Sequence, residues 1–297
     1  LFMDDHIQAV LPWLKARQES CDAMIGCIAS SEVTKLTRLG RFRMDGPERG
    51  AVAFLKRLRG KKTENGSTTS ASDQMKTLRR IPQILRFIPG TAQDMRAYFL
   101  AMQYWLAGSD ENTANMVRLL VQRYADGPRR HLRGAQMVPP PIEYPEVGVY
   151  HPRLAGRIGD QLSALPASSK NCKGTIGLLL MRSYLLAGNS DHYDGVIAAL
   201  EARGLAVIPA FASGLDARPA IERYFMRDGV ATVDALVSLT GFSLVGGPAY
   251  NDAAAAEKVL AALDVPYIAA QPVEFQTLDQ WQQSERGLLP IDATMMV

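Results

Sequence analysis

From Gly174 onward the chain alternates between short apolar runs and helix-patterned segments, and this alternation restricts the fold more than any other feature. The run 175–181 (TIGLLLM) precedes a helical pattern over 191–203 that Gly204 closes. The runs 205–211, 234–240 and 265–270 precede helical patterns over 216–226, 251–263 and 278–286, and a last strand is expected near 291–297. A strand that is apolar at consecutive positions, and not only at every second one, has both faces covered. Helices of about 10–13 residues between such strands supply the cover. Residues 173–297 therefore read as a Rossmann-like α/β domain on a doubly wound, mostly parallel sheet.

Upstream the pattern is different. Residues 1–40 read as a β-α-β-α piece: a helix over 4–18 with Ile7, Val10, Leu11 and Leu14 on one stripe, a buried strand at 22–29 (DAMIGCIA), and a short helix capped by Ser30 or Ser31 and closed by Gly40. Residues 41–125 read as a basic loop and helical insert. Twelve Lys or Arg face four Asp or Glu over 41–86, an excess of eight, so with a total of +3 the rest sums to −5. Within it, 63–72 (TENGSTTSAS) has nothing to bury and is expected to be mobile. Helices are expected near 73–88, 92–107 and 112–124, with Pro82 dividing the first. Residues 126–172 hold seven of the seventeen prolines and read as an irregular connector. The two ends read as cut elements, so a piece of a longer polypeptide is expected.

Composition narrows the function classes. With 297 residues, 47% of them hydrophobic, the chain can bury a sizeable core in one to three domains. A net charge of +3 is too small to argue for nucleic acid or a membrane surface. No apolar run reaches the roughly 18 residues of a membrane span, and no secretory pattern is visible. Cys21, Cys27 and Cys172 are odd in number and lack CxxC spacing, which reads as reduced thiols in a cytoplasmic protein.

In a doubly wound sheet, ligands bind beyond the carboxyl ends of the strands. Four loops leave those ends here. They carry Arg182, Tyr184, Asp191, His192 and Tyr193; then Ser213, Gly214 and Asp216; then 241–248 (GFSLVGGP); then Gln271, Glu274, Phe275 and Gln276. His192 and Glu274 are the candidate acid/base or metal-handling groups, and Arg182 is the candidate cation for a carboxylate. Each has a plainer alternative. Asp191 or Ser190 can cap a helix, His192 then packs in its first turn, and Arg182 can hold a structural partner. The basic run 41–62 can be a solvated face or a docking surface. His151 has no second ligand at a diagnostic spacing, so no metal site is identified.

Several segments go further. GLLLMRSYLLAGNSDHYDGVIAALEARGLAVIPAFASGLD (177–216), LVSLTGFSLVGGPAYND (236–252), LDVPYIAAQPVEFQTLDQW (263–281), EVTKLTRLGRF (32–42) and the region of QYWLAGSDEN (103–112) resemble the porphyrin-binding large subunits of the CobN/magnesium chelatase family. The resemblance covers nearly the whole chain. It implies insertion of Mg²⁺ into protoporphyrin IX, with ATP hydrolysed by two partner subunits of AAA+ type. Their place past the strand ends, not the resemblance, makes Arg182, Tyr193, Phe242 and Gln271 substrate-binding candidates, since a flat apolar dicarboxylate wants aromatic walls and a cation at one rim. Cobaltochelatase and a non-catalytic docking module are the alternatives.

No GxxxxGK[ST] segment occurs in the sequence. The purified chain is therefore expected to release no phosphate from ATP above background, and sustained turnover free of contaminating ATPases would overturn the division of labour.

Overall fold

A computed structural model describes residues 4–27, 30–45, 81–135, 137–167, 171–247, 250–273 and 275–290. The chain divides into two compact units, Leu1–Glu143 and Tyr144–Val297.

In the first unit, α1 (Asp4–Arg17) buries Leu11, and α2 (Ser31–Lys35) starts at Ser30, whose hydroxyl accepts from the Val33 amide at 3.4 Å. The expected strand at 22–29 is not formed over its described residues. Met24 makes one bridge to Arg38, and the Arg38 guanidinium occupies the carbonyls of Gln18 and Cys21. Gly40 does not close a helix either. With φ +57° it turns the antiparallel hairpin of β1 (Arg38–Leu39) and β2 (Phe42–Arg43), where the reading of 1–40 expected the end of a helix. A side chain at Gly40 would collide with the Asp94 carboxylate, 2.7 Å from its Cβ position. That carboxylate accepts from the Arg41 amide and from the Tyr124 hydroxyl, both at 2.9 Å. Asp94 lies in α3 (Thr91–Ala107) and Tyr124 ends α4 (Asp110–Tyr124), so one carboxylate stitches the hairpin to both helices. Leu39, Phe42, Met95, Phe99, Met102 and Tyr124 form the core here. Asn112, fully buried, bonds both backbone groups of Ile142, donating at 2.9 Å and accepting at 2.8 Å. The expectations for 63–72 and for the helix before Ile81 lie outside the described residues.

The second unit carries a six-stranded sheet. Its strands are β3 (Val147–Tyr150), β4 (Ile158–Gly159), β5 (Thr175–Met181), β6 (Ala206–Ala212), β9 (Ala235–Ser238) and β12 (Tyr267–Ala269), in the order β12-β9-β5-β6-β3-β4. β12, β9, β5 and β6 are parallel; β3 and β4 are antiparallel additions. Two small hairpins complete the unit, β7 (Met226–Arg227) with β8 (Val230–Ala231) and β10 (Gly246–Gly247) with β11 (Tyr250–Asn251). The helices are α5 (Arg182–Leu186), α6 (Asp191–Ala202), α7 (Arg218–Tyr224), α8 (Ala253–Leu263) and α9 (Leu278–Gln283). The sheet is doubly wound. Leu178 and Leu180 pack with Tyr193 and Ile197 of α6 on one face, while Leu179 packs with Ile221 of α7 and Leu263 of α8 on the other.

The unit boundary falls inside the segment read as a connector, and β3 and β4 belong to the sheet instead of preceding it. Prolines at 145 and 152 bracket only four strand residues, VGVY, which masks the strand in the sequence. The strand expected near 291–297 lies outside the described residues. Among the described residues, no helix is long and apolar enough to cross a membrane.

Gly148 marks the tightest approach between β3 and its neighbours. A Cβ there would lie 2.6 Å from both the Gly159 carbonyl oxygen and the Phe211 ring. Gly148→Ala is expected to destabilise the second unit by about 1–3 kcal/mol, read as a lowered denaturation midpoint. An unchanged midpoint would show that the β3–β4 edge is looser than this geometry.

Candidate functional site

The carboxyl edge of the sheet is shaped by strand order. The chain goes from β5 to β6 on one side, then returns to β9 on the other, so the loops after β5 and β9 diverge. Such a switch point opens a crevice. A small cleft of about 20 Å³ lies here, lined by residues 179–181, 212, 214–217, 240 and 242–244.

The loop after β5 is not open. Arg182 begins α5 immediately beyond Met181, and its guanidinium is turned to backbone: Nε donates to Pro145 O at 2.9 Å and Nη2 to Tyr144 O at 3.2 Å. Tyr193 is fully buried, and its hydroxyl accepts from the Met181 amide at 3.2 Å. It belongs to the core, because the third residue of α6 faces the sheet, and no surface remains for substrate. His192 is half-buried among aromatics, with ring centroids 3.9 Å from Tyr193 and 5.9 Å from Tyr184. The α6 helix starts after Ser190, which is buried and makes no side-chain capping bond. Asp191 is exposed.

In the loop after β9, Phe242 lines the cleft. Its amide donates to Thr240 Oγ1 at 3.3 Å. Gly241 (φ +72°) makes the turn, and Gln271 fixes it by donating from Nε2 to Gly241 O at 3.0 Å. Gln271 is thereby a turn brace. Glu274 lies outside the described residues. The structure thus brings Phe242 to the cleft, turns Arg182 and Gln271 to neighbouring backbone, and buries Tyr193.

Sequence reasoning passed over Ser243 and the pairing of Asp216. Asp216 sits in the lining with its carboxylate on Arg218, 2.6 Å from Nη2, and accepts from the Arg218 amide at 3.0 Å. The D-A-R spacing was the available signal. The Ser243 hydroxyl oxygen is buried and has no hydrogen-bond partner among the described residues. Nothing in the sequence distinguishes that serine from any other.

His151 is 2% exposed. Its Nδ1 accepts from the Arg153 amide at 3.1 Å, and Nε2 faces Glu201 at 3.2 Å. Beside it, the Tyr150 hydroxyl donates to Asp194 at 2.6 Å; burial first, then that carboxylate, push the phenol up to about 12. Among the described residues, no group of three or more His, Cys, Asp or Glu could hold a metal ion.

The Arg218 guanidinium holds the Asp216 carboxyl below its ordinary value. A carboxyl depressed on folding stabilises above its unfolded value, near about pH 4, and loses that contribution as pH falls through the folded value. Solvent screens this partly exposed pair, so the effect is small. Asp216→Asn is expected to flatten the acid limb of the stability–pH curve while changing neutral-pH stability little. An unaltered acid limb in urea melts would count against the pairing.

Comparison with known proteins adds an independent line. A family model described as CobN/Magnesium Chelatase matches residues 102–297, and one described as a domain of unknown function (DUF3479) matches residues 1–99. The chain is 54% identical over 297 residues to the H subunit of the magnesium chelatase of Cereibacter sphaeroides and 52% identical to that of Rhodobacter capsulatus, covering all of this chain and 24% of each relative. It is 34% identical over 316 residues to the chloroplastic ChlH subunit of the magnesium chelatase of Oryza sativa subsp. indica, covering 22% of it. The chain therefore spans about a quarter of the length of the relatives it matches. Among solved structures, the catalytic subunit of cobaltochelatase from Mycobacterium tuberculosis aligns at TM-score 0.44 and 22% identity, covering 76% of this chain and 16% of that one. With its family model matched over 102–297, the chain belongs to the CobN/magnesium chelatase family.

Proposed function

We propose that this chain is part of the porphyrin-binding subunit of a magnesium chelatase. The enzyme inserts Mg²⁺ into protoporphyrin IX on the way to chlorophyll or bacteriochlorophyll, in the cytoplasm, while two AAA+-type partner subunits hydrolyse ATP. The observation that carries the reading is 54% identity, over every residue of this chain, to a protein named as the H subunit of magnesium chelatase.

The chemistry asks three things of such a protein. Mg²⁺ gives up its waters reluctantly. Two pyrrole protons must leave the ring, which calls for a base within hydrogen-bond reach. The ring itself needs a large apolar enclosure, and pockets for ligands of drug size run to about 300–1,000 Å³. The cleft described above, at about 20 Å³, is far smaller. On this reading the carboxyl edge forms part of the wall and not the whole chamber. His192 and Glu274 are proposed to handle protons or metal, and Phe242 to face the ring. For Arg182, Tyr193 and Gln271, a scaffolding role is better supported, since their polar groups serve backbone neighbours.

That same observation favours a second reading for the segment alone: a rigid, non-catalytic piece that docks the ATPase partners. The two separate in the full-length protein reconstituted with its partners, with Mg-porphyrin formation followed by fluorescence. His192→Ala is expected to fold normally, cost at most about 1 kcal/mol of stability, and lose chelation or porphyrin affinity. Full chelation by His192→Ala and Phe242→Ala would leave the docking role. Metallation of hydrogenobyrinic diamide by cobalt, with no activity on protoporphyrin, would replace the whole assignment by cobaltochelatase.

A further inference from the structure

Three strand ends lie side by side at the carboxyl edge. Met181 of β5 pairs with Ala212 of β6, and Ala212 pairs with Val147 of β3. Because β3 runs antiparallel, the segment leading into it, residues 144–146, arrives at this edge and not at the opposite one. It is fastened there from two sides. Arg182 bonds the carbonyls of Tyr144 and Pro145, and the Ser213 amide donates to the Glu146 carbonyl at 2.5 Å. Both fasteners stand one residue beyond a strand that walls the cleft, since Met181 and Ala212 belong to its lining.

The cleft has its own unmet demand. The Ser243 hydroxyl oxygen is buried without a hydrogen-bond partner among the described residues, a condition that a bound group would relieve. A volume of about 20 Å³ admits one water-sized or carboxylate-sized group and no ring. Asp216 also lines the cleft, but Arg218 takes up its charge through Nε and Nη2. A second anion therefore meets an ion pair and not a bare carboxylate.

We propose that this cleft binds a single oxyanion group, a carboxylate or a phosphate, and that Arg182 leaves the carbonyls of Tyr144 and Pro145 to hold it, with Ser243 as a second donor. A guanidinium bond to an oxyanion joins two full charges where a bond to a carbonyl has one, and the planar fork suits two oxygens at once. The exchange frees the segment 144–146, so occupancy of the cleft is read out as loosening of the start of β3. The inference stands on the geometry of the edge and does not depend on the chelatase reading.

The test is an amide NMR titration of the 297-residue chain with inorganic phosphate and, separately, with acetate, at constant ionic strength set by chloride. Hydrogen exchange at the Ser213 amide is measured alongside. Saturable shifts confined to 213–217 and 240–244, with at least about ten-fold faster Ser213 exchange when the cleft is occupied, are expected. Ser243→Ala should weaken binding about five-fold, the loss of one net hydrogen bond. Arg182→Lys keeps the charge but loses the fork, so it should weaken binding and leave Ser213 exchange fast with or without the anion. Saturation by acetate alone or by phosphate alone supports the site and identifies the oxyanion it takes. Linear drift equal to the chloride control means an adventitious ion only and overturns the site. Saturable shifts with unchanged Ser213 exchange, or an Arg182→Lys chain that behaves as the parent does, overturn the exchange of partners.

Discussion

Three consecutive leucines, Leu178, Leu179 and Leu180, are each at most 2% exposed in the central strand of the sheet. A strand that hides successive side chains hides both faces, and each buried leucine contributes about 1.5–3 kcal/mol that is lost if either face opens. The layering follows from this. Helix α6 must cover the face of Leu178 and Leu180, and α7 with α8 must cover the face of Leu179. Two crossovers leaving β5 and β6 for opposite faces then place β9 on the free side of β5, which creates the switch point. The cleft is thus a by-product of burying one strand completely.

The antiparallel edge is held by charge as well as by apolar cover. Asp194 and Glu201 lie seven residues apart on α6, two helical turns, and so share a side. Asp194 takes Tyr150 and Arg157, while Glu201 takes His151 and Arg153. The stretch from Tyr150, the last residue of β3, to Arg157 is clamped at four points onto one helix. Because Nδ1 of His151 accepts a backbone amide, hydrogen-bond logic places the ring proton on Nε2, toward Glu201. Both nitrogens are thereby committed to protein partners.

The periodic part of the fold was readable because periodicity is what burial imposes. The strands expected at 175–181 and 205–211 appear within one residue of those limits, as does the helix expected over 191–203. The four residues of β3 were not readable, since prolines on either side look like a connector and only the register with β6 makes a strand of them. The expected strand at 22–29 does not form over its described residues for the opposite reason. Its composition is apolar enough, but Arg38 occupies the backbone carbonyls of Gln18 and Cys21 just before it. Site residues were harder still. A sequence locates a side chain past a strand end but does not say whether it turns to the cleft, as Phe242 does, or to a neighbouring carbonyl, as Arg182 does.

That last distinction bears on how such an edge can serve a large, flat, dicarboxylic ligand. An arginine bonded to carbonyls is already desolvated and oriented, so an arriving oxyanion need not strip water from it or order its side chain. It must displace the carbonyl bonds that the guanidinium already makes, against which it offers a full opposite charge and two oxygens at once. A cleft of one-group size beside that arginine selects for the rim of a ligand and is indifferent to its ring. Recognition of the rim and enclosure of the ring are then separate tasks. The oxyanion site proposed for the carboxyl edge would serve the first.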